Sequence, residues 1–569
     1  MKTRLIDNYK KQGGSWISGV KGLPDFWPSA FWLVLCTASI QVLSLALPLT
    51  LMQVYDRIIP YNAAGTLLWL VLGCGVAFIL ESALRFIRSW ISGWTAARFD
   101  HFLSQSAFEH LLRSQLSAYE NEEPGIYLDR LGSIGTLRNF YSGQIFQVML
   151  DLPFASLFLY AIWFLAGELV WFPIGVILAF LFLAGILKIG YELNRRQQLN
   201  IDDRRFNFLF ELLGGVHLVK SLTLEEQMLR RYERLQATAV EINHKVSIWS
   251  ILPTNVGSFF SHISLFGVIG LGASSVIQGQ LTIGGLTACA MLAGRALQPV
   301  QSAAGFWLRL SEAKLARQQV RQLANLPLES EPGALPFPRN IEGYIEFEQV
   351  SHRLKEELPD FVTDLSVQIH PREMVVISGE NTNHTTALLA LIQGLVRPYQ
   401  GNLLIDDYDL TEWDRSDLNG LIEYVPQSGV LFSGTLLDNL TLFDQNRQAT
   451  AIEAATLLGL DELVASLPRG YETEVKGQAN NVLPSGLIQR ISMARALVTR
   501  PRILLLDRTV EAMDQDSSQI VLEVLRRLKG HSTIVLVSNS PALVNLADRV
   551  FDLKDNQLVE QEKFDFSFN

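Results

Sequence analysis

The stretch Gly379-Glu-Asn-Thr-Asn-His384-Thr385-Thr386 follows a strand-like run at 373–378 and leads into a helical pattern at 386–394. Strand, tight loop and helix in that order form the setting of the phosphate loop G-x-x-x-x-G-K-[ST]. In that loop glycines let backbone N–H groups wrap phosphates, a lysine neutralises them and the last hydroxyl binds magnesium. Only Gly379 and Thr386 match. His384 places a Cβ where the loop prefers none, and Thr385 stands in the lysine position. Loss of the lysine alone removes charge-assisted hydrogen bonds worth about 1.5 to 3 kcal/mol, so phosphate affinity is expected to fall at least roughly tenfold to a hundredfold.

Residues 341–350, 373–378, 503–506 and 532–538 read as strands, the last two as buried parallel ones, and the alternation with helical patterns predicts an α/β nucleotide-binding domain. A segment rich in proline and acidic residues, 325–340, precedes it and reads as a linker. Upstream, six apolar stretches near 30–53, 63–83, 144–165, 169–187, 254–276 and 281–304 are long enough to cross a bilayer, which takes about 20 helical residues. The chain is 49% hydrophobic and only 18% charged, against about 25% charged in ordinary soluble domains. Lys2, Arg4, Lys10, Lys11 and Lys21 precede the first stretch, Arg85, Arg88 and Arg98 follow the second, and Lys188, Arg195, Arg196, Arg204 and Arg205 follow the fourth. Positive charge concentrates on the cytoplasmic side, which predicts cytoplasmic termini. The N-terminal residues lack a cleavable signal pattern, so the first span is expected to stay in the lipid bilayer.

The net charge of -10, with no basic face, argues against nucleic acid as a partner. Cys36, Cys74 and Cys289 all fall in apolar runs and read as small buried hydrophobes. No metal signature appears. Within the spans, Gln41, Asp151, His262 and Arg295 are candidates for function. The competing reading places Asp151 and Arg295 near the cytoplasmic ends and hydrogen-bonds His262 between helices. Gly257, Ser261, Ser264, Gly267 and Gly270 read as a close-packing face. Two charged excursions, 86–143 and 191–253, are helical in pattern. In the second, Leu222, Leu224, Met228, Leu229 and Tyr232 recur at helical spacing and predict an amphipathic helix. Such a hairpin either packs on itself or grips a cytosolic domain, with Leu224 and Met228 as coupling residues.

The stretch YVPQSGVLFSGTLLDNLTL at 424–442, QRISMARAL at 489–497, and PRILLLD at 501–507 followed by Ala512, Met513 and Asp514 resemble the glutamine loop, signature helix, Walker B strand and D-loop of ABC exporters. LPLTLMQVYDRIIP at 47–60 and GRALQPVQS at 294–302 are similar to the haemolysin-type exporters of type I secretion. The resemblance covers nearly the whole chain. It implies a membrane all-α six-helix exporter domain followed by a cytosolic α/β ABC nucleotide-binding domain. The expected division is a cytoplasmic N-terminal segment 1–29, the transmembrane domain 30–320, a linker 321–340, the ABC domain 341–560 and a tail 561–569. The sequence leaves no room for the N-terminal peptidase-like domain of some relatives, so leader cleavage is not expected.

Set against the family pattern, several further positions depart from it. After the Walker B residue Asp507 the resemblance implies a glutamate that polarises water; here it is Arg508, and loss of a general base costs about 10² to 10⁴ in rate. The switch histidine position holds Asn539. The signature LSGGQ aligns to Leu483-Pro484-Ser485-Gly486-Leu487 and keeps Gly486 alone of the serine-glycine-glycine core. An adenine-stacking aromatic is replaced by Leu354, while Gln427 is retained. Gly379, Thr386, Gln427 and Asp507 are therefore expected to form a vestigial nucleotide site, in which Arg508 could alternatively stand in for the lysine. No catalytic residue is assigned, and ATP with magnesium is expected only weakly or through a partner subunit.

The family's ATP sites lie between two chains, and in a homodimer of this chain both would lack both halves. The first expectation is a catalytically degenerate transmembrane subunit of a type I protein or peptide exporter in a bacterial inner membrane. Its partners would be a second ABC exporter chain with intact motifs, and membrane fusion and outer-membrane secretion components. The alternatives are a non-transporting scaffold or regulatory membrane protein derived from an exporter, and an active ATPase with divergent motifs.

Overall fold

Long apolar runs with few charges fold as continuous helices, because a helix satisfies its own backbone polar groups where lipid cannot. In the computed structural model, the described residues are 26–120, 122, 124–142, 144–329, 338, 341–353, 359–410, 413, 415–418, 420–475, 483–511 and 513–561. Leu354, Ala512 and the lysines and arginine ahead of the first span lie outside them. The chain forms two units, Met1–Leu112 with Glu122–Leu326, and Arg113–Asn121 with Pro327–Asn569.

The first unit is helical. It contains α1 (Phe26–Leu43), α2 (Ala46–Gln53) and α3 (Ala64–Leu112). After the short α4 (Leu116–Glu120), which belongs to the other unit, come α5 (Pro124–Ser142), α6 (Gln144–Asp151), α7 (Ala155–Ala166), α8 (Trp171–Gly214), α9 (Val216–Ser221), α10 (Glu225–Ile277) and α11 (Ile283–Ala324). Four stretches among the described residues are long and apolar enough to cross a membrane: Ser29–Tyr61, Ala64–Leu112, Gln147–Gly214 and Glu225–Ile277. The third carries two of the six expected spans, separated by a turn at Gly167–Val170. The sixth, on α11, is helical but less apolar, since Arg295, Gln298 and Gln301 interrupt its run. Its buried face is built mostly of small residues: Cys289, Ala290, Ala293 and Ala296, together with Leu292, share a core with Phe158, Ile162 and Val268. Large side chains such as Phe182 and Phe266 point outward instead, as a lipid-facing surface should. The last four residues of α11 also occupy the start of the expected linker.

Cys36 and Cys289 are buried and Cys74 half-buried. Most of the expected small-residue face packs closely. A Cβ on Gly267 would clash with the Phe172 ring and one on Gly257 would lie 2.9 Å from Gln301, whereas Gly270 faces open space. Ser264 is buried, and Gln301 Nε2 donates to Ser261 at 2.9 Å. Asp151 is the last residue of α6 and is paired across helices. Arg88 lies within α3, buried, and its Nη1 meets Asp151 Oδ1 at 2.9 Å, an oxygen that also accepts from Gln41 Nε2 at 3.0 Å. Burying an arginine requires such a partner. His262 is exposed and, with Phe259, Ile263 and Phe266 of α10 and Phe172 of α8, lines an open apolar groove. The amphipathic helix expected from Leu222 onward begins later. Residues 222–224 form a turn with Thr223 at φ 55°, and α10 starts at Glu225. Leu224 and Met228 are half-buried; Leu222 and Leu229 are exposed.

In the second unit, β1 (Ile345–His352), β2 (Val362–Ile369), β3 (Met374–Gly379), β4 (Gln400–Ile405), β5 (Tyr408–Asp409), β6 (Ile422–Val425), β7 (Gly434–Thr435), β8 (Glu474–Val475), β9 (Ile503–Asp507), β10 (Thr533–Val537), β11 (Arg549–Lys554) and β12 (Gln557–Gln561) form three sheets. An antiparallel sheet runs β2-β1-β4-β5, and a six-stranded sheet runs β12-β11-β3-β10-β9-β6, parallel from β11 to β6. Its helices are α12 (Thr382–Ile392), α13 (Leu436–Thr441), α14 (Gln448–Leu457), α15 (Leu460–Ala465), α16 (Ser485–Leu497), α17 (Gln515–Leu528) and α18 (Pro541–Leu546). Every residue of β9 and β10 is buried, as the continuous Val/Ile/Leu runs of central parallel strands require. One core lies between the two larger sheets around Phe347, Phe361 and Leu389. The other packs α14 and α16 on the opposite face.

Candidate nucleotide site

The carboxyl ends of β3, β10, β9 and β6 are adjacent in the sheet, and crevices at such strand ends are where open α/β sheets bind ligands. This edge gathers Gly379, the loop to α12, Asp507 and Arg508 after β9, Asn539 after β10, and Gln427 after β6. The sequence-predicted residues Gly379, Thr386, His384, Thr385, Asp507, Arg508 and Asn539 are thus placed on neighbouring strand ends. Pro484 and Ser485 open α16.

The magnesium-side pair of the loop retains its contact. Thr386 Oγ1 donates to Asp507 Oδ2 at 2.7 Å, and the Tyr424 phenol on β6 donates to the same oxygen at 3.1 Å. Burial first, and the Asp507 carboxylate second, raise the Tyr424 phenol well above its ordinary value, so it remains a donor. Asp507 is 2% exposed and its other oxygen, Oδ1, has no hydrogen-bond partner among the described residues.

The phosphate side is rebuilt. Asn381 caps α12, its side chain accepting from Asn383 N–H at 3.1 Å. Its carbonyl accepts from the His384 and Thr385 N–H groups at 3.2 and 3.3 Å. The Thr385 bond is the ordinary first bond of the helix, but the Asn383 and His384 amides belong to the first turn, where unpaired N–H groups would otherwise meet phosphate oxygens, and both are bonded to Asn381. The His384 ring lies over Phe361, centroids 5.4 Å apart, with Nε2 3.1 Å from Asn381 Nδ2. Thr385 is fully buried and donates to the Thr382 carbonyl at 3.0 Å; it presents no charge to the crevice. Arg508 reaches across, its Nη1 donating to Thr382 Oγ1 at 2.6 Å. Thr386 and Asp507 suit a cation held beside a phosphate, but the capped amides and the His384 ring do not suit the phosphate chain itself.

Gln427 is exposed, and the residues on both sides of it are held from α16. Gln489 accepts from Gly429 N–H at 2.7 Å and donates to the Pro426 carbonyl at 2.6 Å. A Cβ on Gly429 would lie 2.5 Å from Ser492 Oγ, so only glycine lets the loop approach this helix. Asn539 is exposed, its N–H donating to Glu511 at 3.3 Å. Gly486 is buried in the first turn of α16. Sequence reasoning assigned no role to Asn381, Tyr424 or Gln489. Asparagine ahead of a helix is a cap signal, but the other two act across gaps of 83 and about 60 residues that spacing does not reveal.

Residues 31–300 match the family described as ABC transporter transmembrane region, and residues 362–511 the family described as ABC transporter. The Toxin RTX-I translocation ATP-binding protein of Actinobacillus pleuropneumoniae is 28% identical over 529 residues, 92% of this chain and 74% of that protein. The Leukotoxin translocation ATP-binding protein LktB of Mannheimia haemolytica is equally similar over the same shares. The solved structure of a bacterial Atm1-family ABC exporter with ATP bound superposes with TM-score 0.81 at 20% identity, covering 96% of this chain and 95% of that one. A helical membrane unit of multiple passes, a parallel-sheet domain with glutamine loop and signature helix in place, and matches to both halves establish that the chain belongs to the ABC exporters, with relatives among the toxin-translocating proteins of type I secretion.

Proposed function

We propose that this chain is a catalytically degenerate transmembrane subunit of a polypeptide exporter, working beside a second ABC chain whose motifs are intact. The observation that carries the reading is the phosphate loop, where Asn381 takes the first-turn amides of Asn383 and His384 and Thr385 is buried and neutral. Nucleotide in this chain's own site is held weakly at most. The membrane is the bacterial inner membrane with both termini cytoplasmic, on the strength of the positively charged loops. Membrane fusion and outer-membrane secretion components are the further partners expected of such a system. Gln427 and the hairpin carrying Leu224 and Met228 hand motion of the partner's ABC domain to the membrane helices.

The test is ATP turnover by the purified full chain, alone and co-assembled with an ATP-competent ABC exporter chain. Alone it stays at background. Together the pair turns over ATP, and Met228→Asp in this chain lowers the stimulation without affecting membrane insertion. A lone-chain rate of about 1 per second, the low end of ordinary enzyme rates, abolished by Asp507→Ala, overturns the proposal.

A further inference from the structure

Arg508 stands directly after the Walker B carboxylate with a left-handed backbone, φ 45°, a conformation that L side chains seldom adopt. Two bonds hold it there. Its N–H donates to the Val537 carbonyl at the end of β10 at 3.0 Å, and its guanidinium donates to Thr382, the first residue of α12, at 2.6 Å. A cation at this end of a helix is opposed by the helix dipole, so charge alone does not account for the contact. On the other side, Glu511 accepts from the Asn539 N–H at 3.3 Å and from the Ser538 hydroxyl at 3.5 Å. Thr386 and Tyr424 meanwhile converge on Asp507. The start of α12 and the ends of β6, β9 and β10 are thus joined by the chain's own side chains.

We infer that Arg508 is a built-in strut, a positioning residue that fixes the first turn of α12 to β9 and β10 so that this domain keeps one arrangement at its site without a nucleotide. The inference rests on the reading that nucleotide does not drive this site, and adds what holds the site instead. Removing one side of a hydrogen bond from a charged donor should release the first turn of α12.

Hydrogen exchange on the full-length chain in detergent, followed in peptides spanning residues 380–388, tests this. Millimolar Mg-ATP should leave wild-type exchange unchanged. Arg508→Ala should speed it by about tenfold to a hundredfold, Thr382→Val by a similar factor, and the double variant by no more than either. Millimolar guanidinium ion added to Arg508→Ala should restore slow exchange, and methylammonium should not, because only the former reproduces the planar donor. If both single variants exchange like wild type, or guanidinium gives no rescue, the strut is overturned and the degenerate-site reading stands. If Mg-ATP slows wild-type exchange and Arg508→Ala removes that effect, Arg508 is a phosphate ligand and the degenerate-site reading falls as well.

Discussion

The glutamine loop and the phosphate loop lie at neighbouring ends of one sheet, yet their hydrogen-bonding groups are used in opposite ways. In the glutamine loop, Gln489 holds both flanks of Gln427, and Arg495 donates to the carbonyls of Asn439 and Val430 at 3.0 Å each. The loop is fixed from behind while Gln427 stays exposed. In the phosphate loop the inward groups turn on the loop itself, through Asn381, Thr385 and Arg508. The residues that shape the domain are therefore separable from those that handle phosphate. Helix α16 and the strand ends need no nucleotide to form, because their stability comes from buried Val, Ile, Leu and Ala around them.

Rebuilding the phosphate side is the strongest way to break this contrast. His384→Gly, Thr385→Lys and Arg508→Glu restore the motif chemistry, and binding of a fluorescent ATP analogue should strengthen by about tenfold to a hundredfold. Adding Asn381→Ala should strengthen it again, since the Asn383 N–H loses its internal acceptor. Hydrolysis by the lone chain should remain low, because Pro484 and Ser485 still occupy the signature. Beside an ATP-competent chain, the quadruple variant that also carries Asn539→His should raise turnover, the general base restored by Arg508→Glu being worth about 10² to 10⁴. Equal stimulation of the lone chain and the pair would reject the two-chain arrangement. A triple variant that already binds as tightly as the one with Asn381→Ala would show that the cap does not compete with phosphate.

The glutamine loop offers the complementary test. Gln489→Ala leaves the Gly429 N–H and the Pro426 carbonyl without their buried partner, at about 1 to 3 kcal/mol for each unsatisfied group. Exchange at residues 426–430 should accelerate and the apparent melting temperature fall. Gln489→Glu keeps the acceptor for Gly429 but buries a carboxylate oxygen against the Pro426 carbonyl, so at neutral pH it should cost at least as much as Gln489→Ala. Wild-type behaviour of both variants would mean that the loop is held by packing against Ile488 and Ser492 rather than by this residue.

Much of this was legible in the sequence, for reasons that differ by residue. The strands at 503–507 and 533–537 announce themselves because central parallel strands are apolar on both faces. The departures at His384, Thr385 and Arg508 are visible because the motif dictates residue types at fixed offsets. The Arg88–Asp151 pair was not legible. Periodicity shows where a helix runs, but the charge distribution along the chain cannot show that an arginine after an apolar stretch turns inward to meet a carboxylate 63 positions away. Nor could it show that α11, with Arg295 and Gln301 in its middle, packs buried small residues against its neighbours.

The smallest expected effect concerns Tyr424, which binds the same Asp507 oxygen as Thr386 but belongs to the strand that leads into the glutamine loop. Tyr424→Phe removes one hydroxyl and leaves Thr386 as donor, so the loss should be about 1 kcal/mol, read as slightly faster exchange at 503–507. Its pH dependence shows whether the folded chain holds the phenol in its protonated form. The phenol is held above its ordinary value by burial and then by Asp507, whereas in the unfolded chain it ionises near pH 10. Below that pH both states carry the proton and the contribution is fully present. As pH rises past about 10 the unfolded state releases its proton first, and the wild type loses stability that the phenylalanine variant never had. The gap between the two should therefore be constant from neutral pH to about 9 and shrink above about 10. A gap that stays constant through the alkaline range would show that neither burial nor Asp507 holds the phenol's proton in the folded state, and a gap of zero at neutral pH that the Asp507 contact stands on Thr386 alone.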